Sequence, residues 1–332
     1  MDWVDEADGV FRGGGVKGIA LAGALCGFAE HHSKPVRRWV NVAGASAGAI
    51  IAAYLALDHS AQELATLLRA GTPFASFQDF PRGSRVLGAF NLLTRHGLAR
   101  GRTFEDWFDG VLEGATFAKT GSRLKLIAVD VTNRNLLVLP EDLRNYREPG
   151  RAALIDPDGF SVARAVRMSM SIPYFYEPVE LDHKDGGRSV IVDGGTLSNF
   201  PVWLFDVDPT TAGRPPLRPT FGLTLTGGRG FGGRFKVLSG AAPWMLRFAF
   251  DIFHTAQEAW DERFVSHSTR VRTLAVDADD VATTDFELSD EKRDLLMTNG
   301  RAAATDFLNR FRLEDYLNTF HARLEPSPRR DA

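Results

Sequence analysis

Short apolar runs suited to strands alternate along this chain with stretches whose apolar positions recur at helical spacing. That pattern predicts an α/β fold, a three-layer sandwich with a central, mostly parallel sheet and helices on both faces. The first unit is a strand over Gly9–Arg12, a glycine-rich turn, and a helix from about Lys17 to His31. A second strand over Trp39–Ala43 passes through the turn Gly44-Ala45-Ser46-Ala47-Gly48 into a helix reaching Leu57. A further helix is expected over Ala61–Ala70. The segment Gly71–Arg102, with scattered Gly, Pro and aromatics, reads as irregular, and a short helix follows at Phe104–Leu112.

Strands over Leu124–Val131 and Asn135–Leu139 flank the turn Thr132-Asn133, and Ser161–Ser169 reads as a helix stopped before Pro173. Phe175–Leu181 and Ser189–Val192 look like a hairpin around the polar turn His183–Arg188. The strand Thr220–Thr226 precedes a glycine-rich loop, GGRGFGGRFK, over residues 227–236. Met245, Phe248, Ile252, Ala256, Ala259 and Phe264 then form an apolar stripe on a long helix expected over Ala241–Ser268. Val271–Val276 is the last expected strand, followed by a helix over Asp290–Phe311. No repeat and no linker divides the chain. Residues 8–206 carry the motifs, 207–314 continue the same domain, and 315–332 read as a disordered tail.

Composition narrows the function classes. The 332 residues are 44% hydrophobic and 24% charged, the values of a soluble globular protein with a sizeable core. A net charge of −3 lacks the basic footprint of a nucleic-acid binder. The one cysteine, Cys26, excludes a disulfide framework and a cysteine-based zinc site, and its apolar surroundings suit a packing thiol. No His/Asp/Glu cluster has ligand spacing, so neither a metal nor another cofactor is expected. The acidic start, MDWVDEADG, lacks the basic residues and apolar run of a signal peptide, and no stretch approaches the roughly 20 apolar residues of a membrane span. A cytoplasmic protein, peripheral to a membrane at most, is the expectation.

Candidate chemistry begins at Gly44–Gly48, which has the form G-x-S-x-G. All four residues around Ser46 are Gly or Ala, as needed where a strand and a helix pass close on either side of a sharp turn. Such a turn would hold the hydroxyl above the sheet and aim the amide of Ala47 at an oxyanion. The other reading of Ser46 is a plain helix N-cap. A nucleophilic serine needs a base. After Ser46 the histidines are His59, His96, His183, His254, His267 and His321, and none follows a clear late strand on a loop. Asp193 closes the apolar strand Ser-Val-Ile-Val and is followed by Gly194-Gly195, so its carboxylate is a candidate base raised by burial; a simple turn aspartate is the alternative.

The glycines of GGGVKG, residues 13–18, fit G-x-G-x-x-G, and amides at a helix N-terminus attract negative charge. A dinucleotide site needs an acid at the end of the second strand, where Asn41-Val42-Ala43-Gly44 stands. A phosphate-binding P-loop needs Lys-Ser/Thr after Gly18, where Ile19 stands.

GGGVKG, GASAG and DGG, in this order, resemble the patatin-like phospholipase family. Arg164–Pro173, Phe175-Tyr176-Glu177-Pro178 and Asn199-Phe200-Pro201 agree with it, over about residues 8–206. The resemblance implies a patatin-like fold and ester hydrolysis on a lipid substrate, with Ser46 as nucleophile and Asp193 as proton acceptor without histidine. It also implies an oxyanion hole of Gly13, Gly14 and Gly15 amides, in a site shaped by Gly18, Gly44, Gly48, Gly194 and Gly195. The third motif is DGG where many members have DGA, and Lys17 stands where many have arginine. Two rivals stay open: a Ser-His-Asp esterase of the α/β-hydrolase type, and a non-catalytic lipid-binding protein. Aromatics near Phe74–Phe80 and Met168–Tyr176 could line an acyl channel or simply pack the core. Arg229, Arg234 and Lys236, interleaved with Phe231 and Phe235, suit transient contact with an anionic membrane surface or a solvated loop.

Overall fold

The computed structural model describes residues 3, 5–71, 74–80, 92, 94–206, 218–227, 271–278, 281–283, 285 and 288–321. Within them, the apolar runs assemble into one nine-stranded sheet. Its strands are β1 (Glu6–Phe11), β2 (Arg38–Ala45), β4 (Leu124–Asp130), β5 (Asn135–Leu139), β6 (Tyr146–Arg147), β8 (Val179–His183), β9 (Arg188–Asp193), β10 (Thr220–Thr226) and β11 (Thr273–Asp277). The order is β11-β10-β1-β2-β4-β9-β8-β6, with β5 also paired to β4. From β11 to β4 every pairing is parallel; from β4 outward through β9, β8 and β6 every pairing is antiparallel. The central parallel strands are covered on both faces, so β1 is buried from Ala7 to Phe11 without alternation, Asp8 included.

The helices α1 (Gly18–Glu30), α2 (Ala47–Ala56), α3 (Ala61–Thr66), α4 (Arg102–Val111), α5 (Val162–Ser169) and α6 (Asp290–Arg310) flank this sheet. Ser60 and Ser289 cap α3 and α6 by accepting the amides of Glu63 and Lys292, as their positions ahead of acidic first turns suggest. α1 and α6 cross closely through small residues. A Cβ on Gly23 would lie 2.3 Å from the Met297 carbonyl oxygen, and one on Gly300 2.0 Å from that of Ala20. Phe11, Val42, Ile19, Leu25, Ile51 and Leu126 belong to one continuous core. On the opposite sheet face, Val10 and Ala43 pack against Phe200 and Val202. Cys26 is a buried packing thiol whose Sγ lies 3.4 Å from the Ala61 carbonyl oxygen.

Three expectations change. The strand expected over Phe175–Leu181 is split: Tyr174–Tyr176 (β7) pairs in parallel with Gly97–Ala99 (β3), and β8 begins only after Pro178. β3 itself lies inside the segment read as irregular, because three residues are too few to show a period. The tail expected over 315–332 is helical at its start, since α7 spans Leu313–His321. Tyr316 anchors it: the ring is buried and Oη accepts the Thr220 amide at 3.1 Å. The rest of that tail, the glycine loop after Gly227 and the long helix expected over Ala241–Ser268 lie outside the described residues. Phe77 packs edge-on against Phe104 and tilted against Trp107, while Phe175 and Tyr176 are buried, so these aromatics serve the core.

Candidate active site

β2 pairs with Leu124–Ile127 of β4, β9 with Ala128–Asp130, and β5 with Leu126–Asp130. A strand has two hydrogen-bonding edges, so these overlaps put β5 on one edge and both β2 and β9 on the other. Parallel β2 ends at Ala45 opposite Ile127, and antiparallel β9 ends at Asp193 opposite Ala128. Neighbouring strand positions are about 3.3 Å apart. The C-terminal ends of β2 and β9 therefore meet head-on, and both chains have to leave the sheet at that point. A Cβ on Gly194 would lie 2.2 Å from the Ile127 carbonyl oxygen, which measures the crowding there.

Ser46 is the residue on which β2 turns out. Its backbone is left-handed, with φ 53° and ψ −125°, a conformation that costs an L side chain on the order of 1–3 kcal/mol. Glycine is required on both sides of it. A Cβ on Gly44 would sit 2.2 Å from the Gly48 carbonyl oxygen, and one on Gly48 2.0 Å from that of Phe11. The Ser46 amide donates to Ser169 Oγ at 3.0 Å, and the Ser46 carbonyl accepts from Ala49 at 2.9 Å. α2 starts at Ala47, so the Ala47 amide belongs to the open first turn of a helix.

Asp193 is 1% exposed. Its Oδ1 accepts the Gly195 amide at 2.7 Å, and its own amide donates to the Ser171 carbonyl at 2.9 Å. Burial pushes the carboxyl up to about 7, against the opposing pull of the Ser46 hydroxyl and the Gly195 amide. The hydroxyl is near enough to favour the carboxylate but is not locked in a full hydrogen bond, and Oδ2 is buried without a partner among the described residues.

The glycine loop lies alongside. Gly13 is held twice by Asn199: its amide donates to the Asn199 carbonyl at 3.2 Å, and its carbonyl accepts Asn199 Nδ2 at 3.3 Å. A Cβ on Gly13 would be 2.9 Å from Ser46 Cβ, which places loop and serine side by side. Gly15 is left-handed at φ 58°, pressed against the Thr283 carbonyl, and the chain then enters a single 3-10 turn and α1. Gly18 faces Ala47 Cβ at van der Waals distance. Neither the Gly14 nor the Gly15 amide has an acceptor among the described residues, whereas the Gly13 amide is committed to Asn199. Beside Ser46 the loop thus presents two open amides, Gly14 and Gly15, and one anchored glycine, Gly13.

The residues singled out from sequence are brought together here. Neither His59 nor His183 is part of the cluster: His59 stacks on Tyr54 and His183 lies beside Asp185. His254 and His267 lie outside the described residues. Sequence reasoning did not single out Ser169 and Ser171 or give Asn199 a task, although all three lie inside motif blocks. Among the described residues no group of His, Cys, Asp and Glu could hold a metal ion, and no helix is long and apolar enough to cross a membrane.

Comparison with known proteins agrees with this geometry. Residues 9–206 match the family model for patatin-like phospholipases. The chain is 37% identical over 314 residues to the uncharacterized protein YqhO of Bacillus subtilis (strain 168), covering 92% of this chain and 98% of that one. It is 27% identical over 203 residues to a cUMP-AMP-activated phospholipase of Escherichia coli, covering 60% of this chain and 58% of that protein. The crystal structure of VipD from Legionella pneumophila superposes with a TM-score of 0.53 at 15% identity, covering 92% of this chain and 67% of that one, a likeness of fold. With the family model spanning more than half of its length, the chain belongs to the patatin-like phospholipase family.

Proposed function

We propose that this protein hydrolyses carboxylic esters of lipids, as a phospholipase A or lysophospholipase, through Ser46 and Asp193. The observation that carries the reading is the head-on meeting of β2 and β9. It sets a strained, helix-capped serine beside a buried carboxyl whose pKa is raised to about 7. A carboxylate poised there is a base matched to neutral pH.

Asp193 Oδ2 takes the Ser46 proton as Oγ attacks the ester carbonyl. The negative charge that develops on the carbonyl oxygen is met by the Gly14 and Gly15 amides and by the Ala47 amide at the start of α2. The carbon–oxygen bond to the alcohol then breaks, Asp193 returns the proton to the leaving oxygen, and an acyl-serine remains. Water, deprotonated by the same carboxylate, releases the fatty acid and restores Ser46. Family membership supports the lipid substrate. Transient membrane contact through residues 227–236 belongs to this reading, and deletion of 228–235 should weaken flotation with anionic liposomes.

The deciding experiment is fluorophosphonate labelling of wild type, Ser46→Ala and Asp193→Asn, followed by hydrolysis of a panel of phospholipids, lysophospholipids and neutral esters. Labelling of wild type alone is expected. Equal labelling of wild type and Ser46→Ala removes the nucleophile assignment.

A further inference from the structure

The last turn of α5 and the two residues after it reach both candidate catalytic residues. Ser169 Oγ accepts the Ser46 amide at 3.0 Å, and two residues later the Ser171 carbonyl accepts the Asp193 amide at 2.9 Å. Ser169 and Ser171 are both wholly buried. This segment is itself pinned. The Ser171 hydroxyl donates to the Arg167 carbonyl at 2.8 Å and accepts from Arg167 Nη1. The buried guanidinium also donates to the carbonyls of Arg100, Gly101 and Glu177, and stacks 5.2 Å from the Tyr176 ring centre. Its charge is thus held by carbonyl dipoles and an aromatic face, and the stretch from 167 to 171 cannot shift without breaking several of these contacts.

We propose that Ser169 is a positioning residue for the reaction: its hydroxyl oxygen holds the Ser46 backbone in the left-handed turn that presents Oγ to Asp193. The argument rests on the Ser46–Asp193 reading above. The Ser46 amide is buried and lies where β2 has already left the sheet, so Ser169 Oγ is the acceptor that replaces a ladder partner. The backbone it holds is strained, and a strained turn persists only where its surroundings over-determine it. One residue before the turn, Ala45 is still aligned with Ile127 of β4. One residue after it, the helix begins. Ser169 fixes the single residue between these two regular frames.

The test uses the full-length chain with a p-nitrophenyl acyl ester and a fluorophosphonate probe, comparing wild type with Ser169→Ala, Ser169→Thr and Ser169→Val. Thr keeps the acceptor oxygen, and Val copies its shape without it. Misplacement of a reacting group by about 1 Å costs on the order of 10²-fold. Ser169→Ala and Ser169→Val should therefore lose roughly 10- to 100-fold in kcat and in labelling rate at nearly constant KM, while Ser169→Thr recovers most of both. A merely structural role would lower the folded fraction, read by circular dichroism and by the endpoint of fluorophosphonate titration, and would leave kcat per folded enzyme and the labelling rate constant unchanged. Equal kcat in folded Thr and Val variants overturns the proposal, and that pair decides the matter if the Ala variant does not fold. Ser46→Ala is run alongside. If it retains wild-type turnover, the dyad itself is wrong; if it is inactive while the Ser169 variants match wild type, the positioning role alone is wrong.

Discussion

Ser46 and Asp193 leave adjacent strand ends, yet the two turns are held in opposite ways. At Ser46 the difficulty is in the backbone: φ is 53°, and glycines at 44 and 48 with an acceptor on Ser169 hold it there. At Asp193 the backbone is ordinary, and the difficulty is a carboxyl almost wholly removed from water with one oxygen unpartnered among the described residues. One residue is conformationally strained and the other electrostatically strained. In the proposed reaction Ser46 is a nucleophile, which has to be aimed, and Asp193 a base, which has to be tuned, and each carries the corresponding kind of stress.

The comparison can be broken most severely at Ser46. Ser46→Ala should lower hydrolysis by at least roughly 10³-fold and abolish fluorophosphonate labelling, with thermal unfolding almost unchanged. Next comes the cradle. A Cβ on Gly14 would sit 2.4 Å from Leu225 Cδ1, so Gly14→Ala must push the loop or that side chain aside. Its kcat should fall on the order of 10²-fold with little effect on liposome binding, and Leu225→Ala in the same chain should restore part of the loss.

The pH profile tests Asp193. The proposed reaction needs its carboxylate, so kcat/KM should fall tenfold per pH unit below about 7. A profile flat down to pH 5 would contradict the tuned base. Stability moves the other way. The folded pKa lies above the unfolded value of 3.8, so between those two values the folded state holds a proton that the unfolded chain has lost. Stability from this group therefore decreases as pH rises towards about 7 and stays low above it. Asp193→Asn should be inactive yet more resistant to urea at pH 8, by a few kcal/mol at most for a shift of this size. The smallest effect belongs to the backbone: Ser46→Gly relieves the positive φ and should add about 1 kcal/mol in the same unfolding experiment, again without activity.

Ser46 and Asp193 were legible as candidates because each sits in a short run with a local meaning. A serine among small residues between strand and helix, and an acid followed by two glycines after an apolar run, need no distant information. Their meeting was not legible, because it depends on which edge of β4 receives β9, a pairing between residues more than 60 apart in sequence. Ser169 hid for the same reason: within the helix pattern it is merely a small last-turn residue, and its bond to Ser46 spans 123 positions. Asn199 clamps Gly13 across 186 residues. The helix over Leu313–His321 was missed although Leu313, Tyr316 and Leu317 fall at helical spacing and pack on the core, because nine residues running into a polar, charged end carry only two turns of that pattern. The split between β7 and β8 was missed because three residues beside Pro178 carry too little pattern to reveal a change of partner.

The junction on β4 also has a consequence for how such a chain can vary. The spacer between the turns at Ser46 and Asp193 is the single step from Ile127 to Ala128, so their separation is set by covalent geometry within one strand. Insertions in the connections elsewhere leave that step untouched. One residue added inside it would drive the strand ends apart and turn every following side chain to the other face. β4 acts as a gauge block: a rigid reference length against which the rest of the molecule is free to be reshaped.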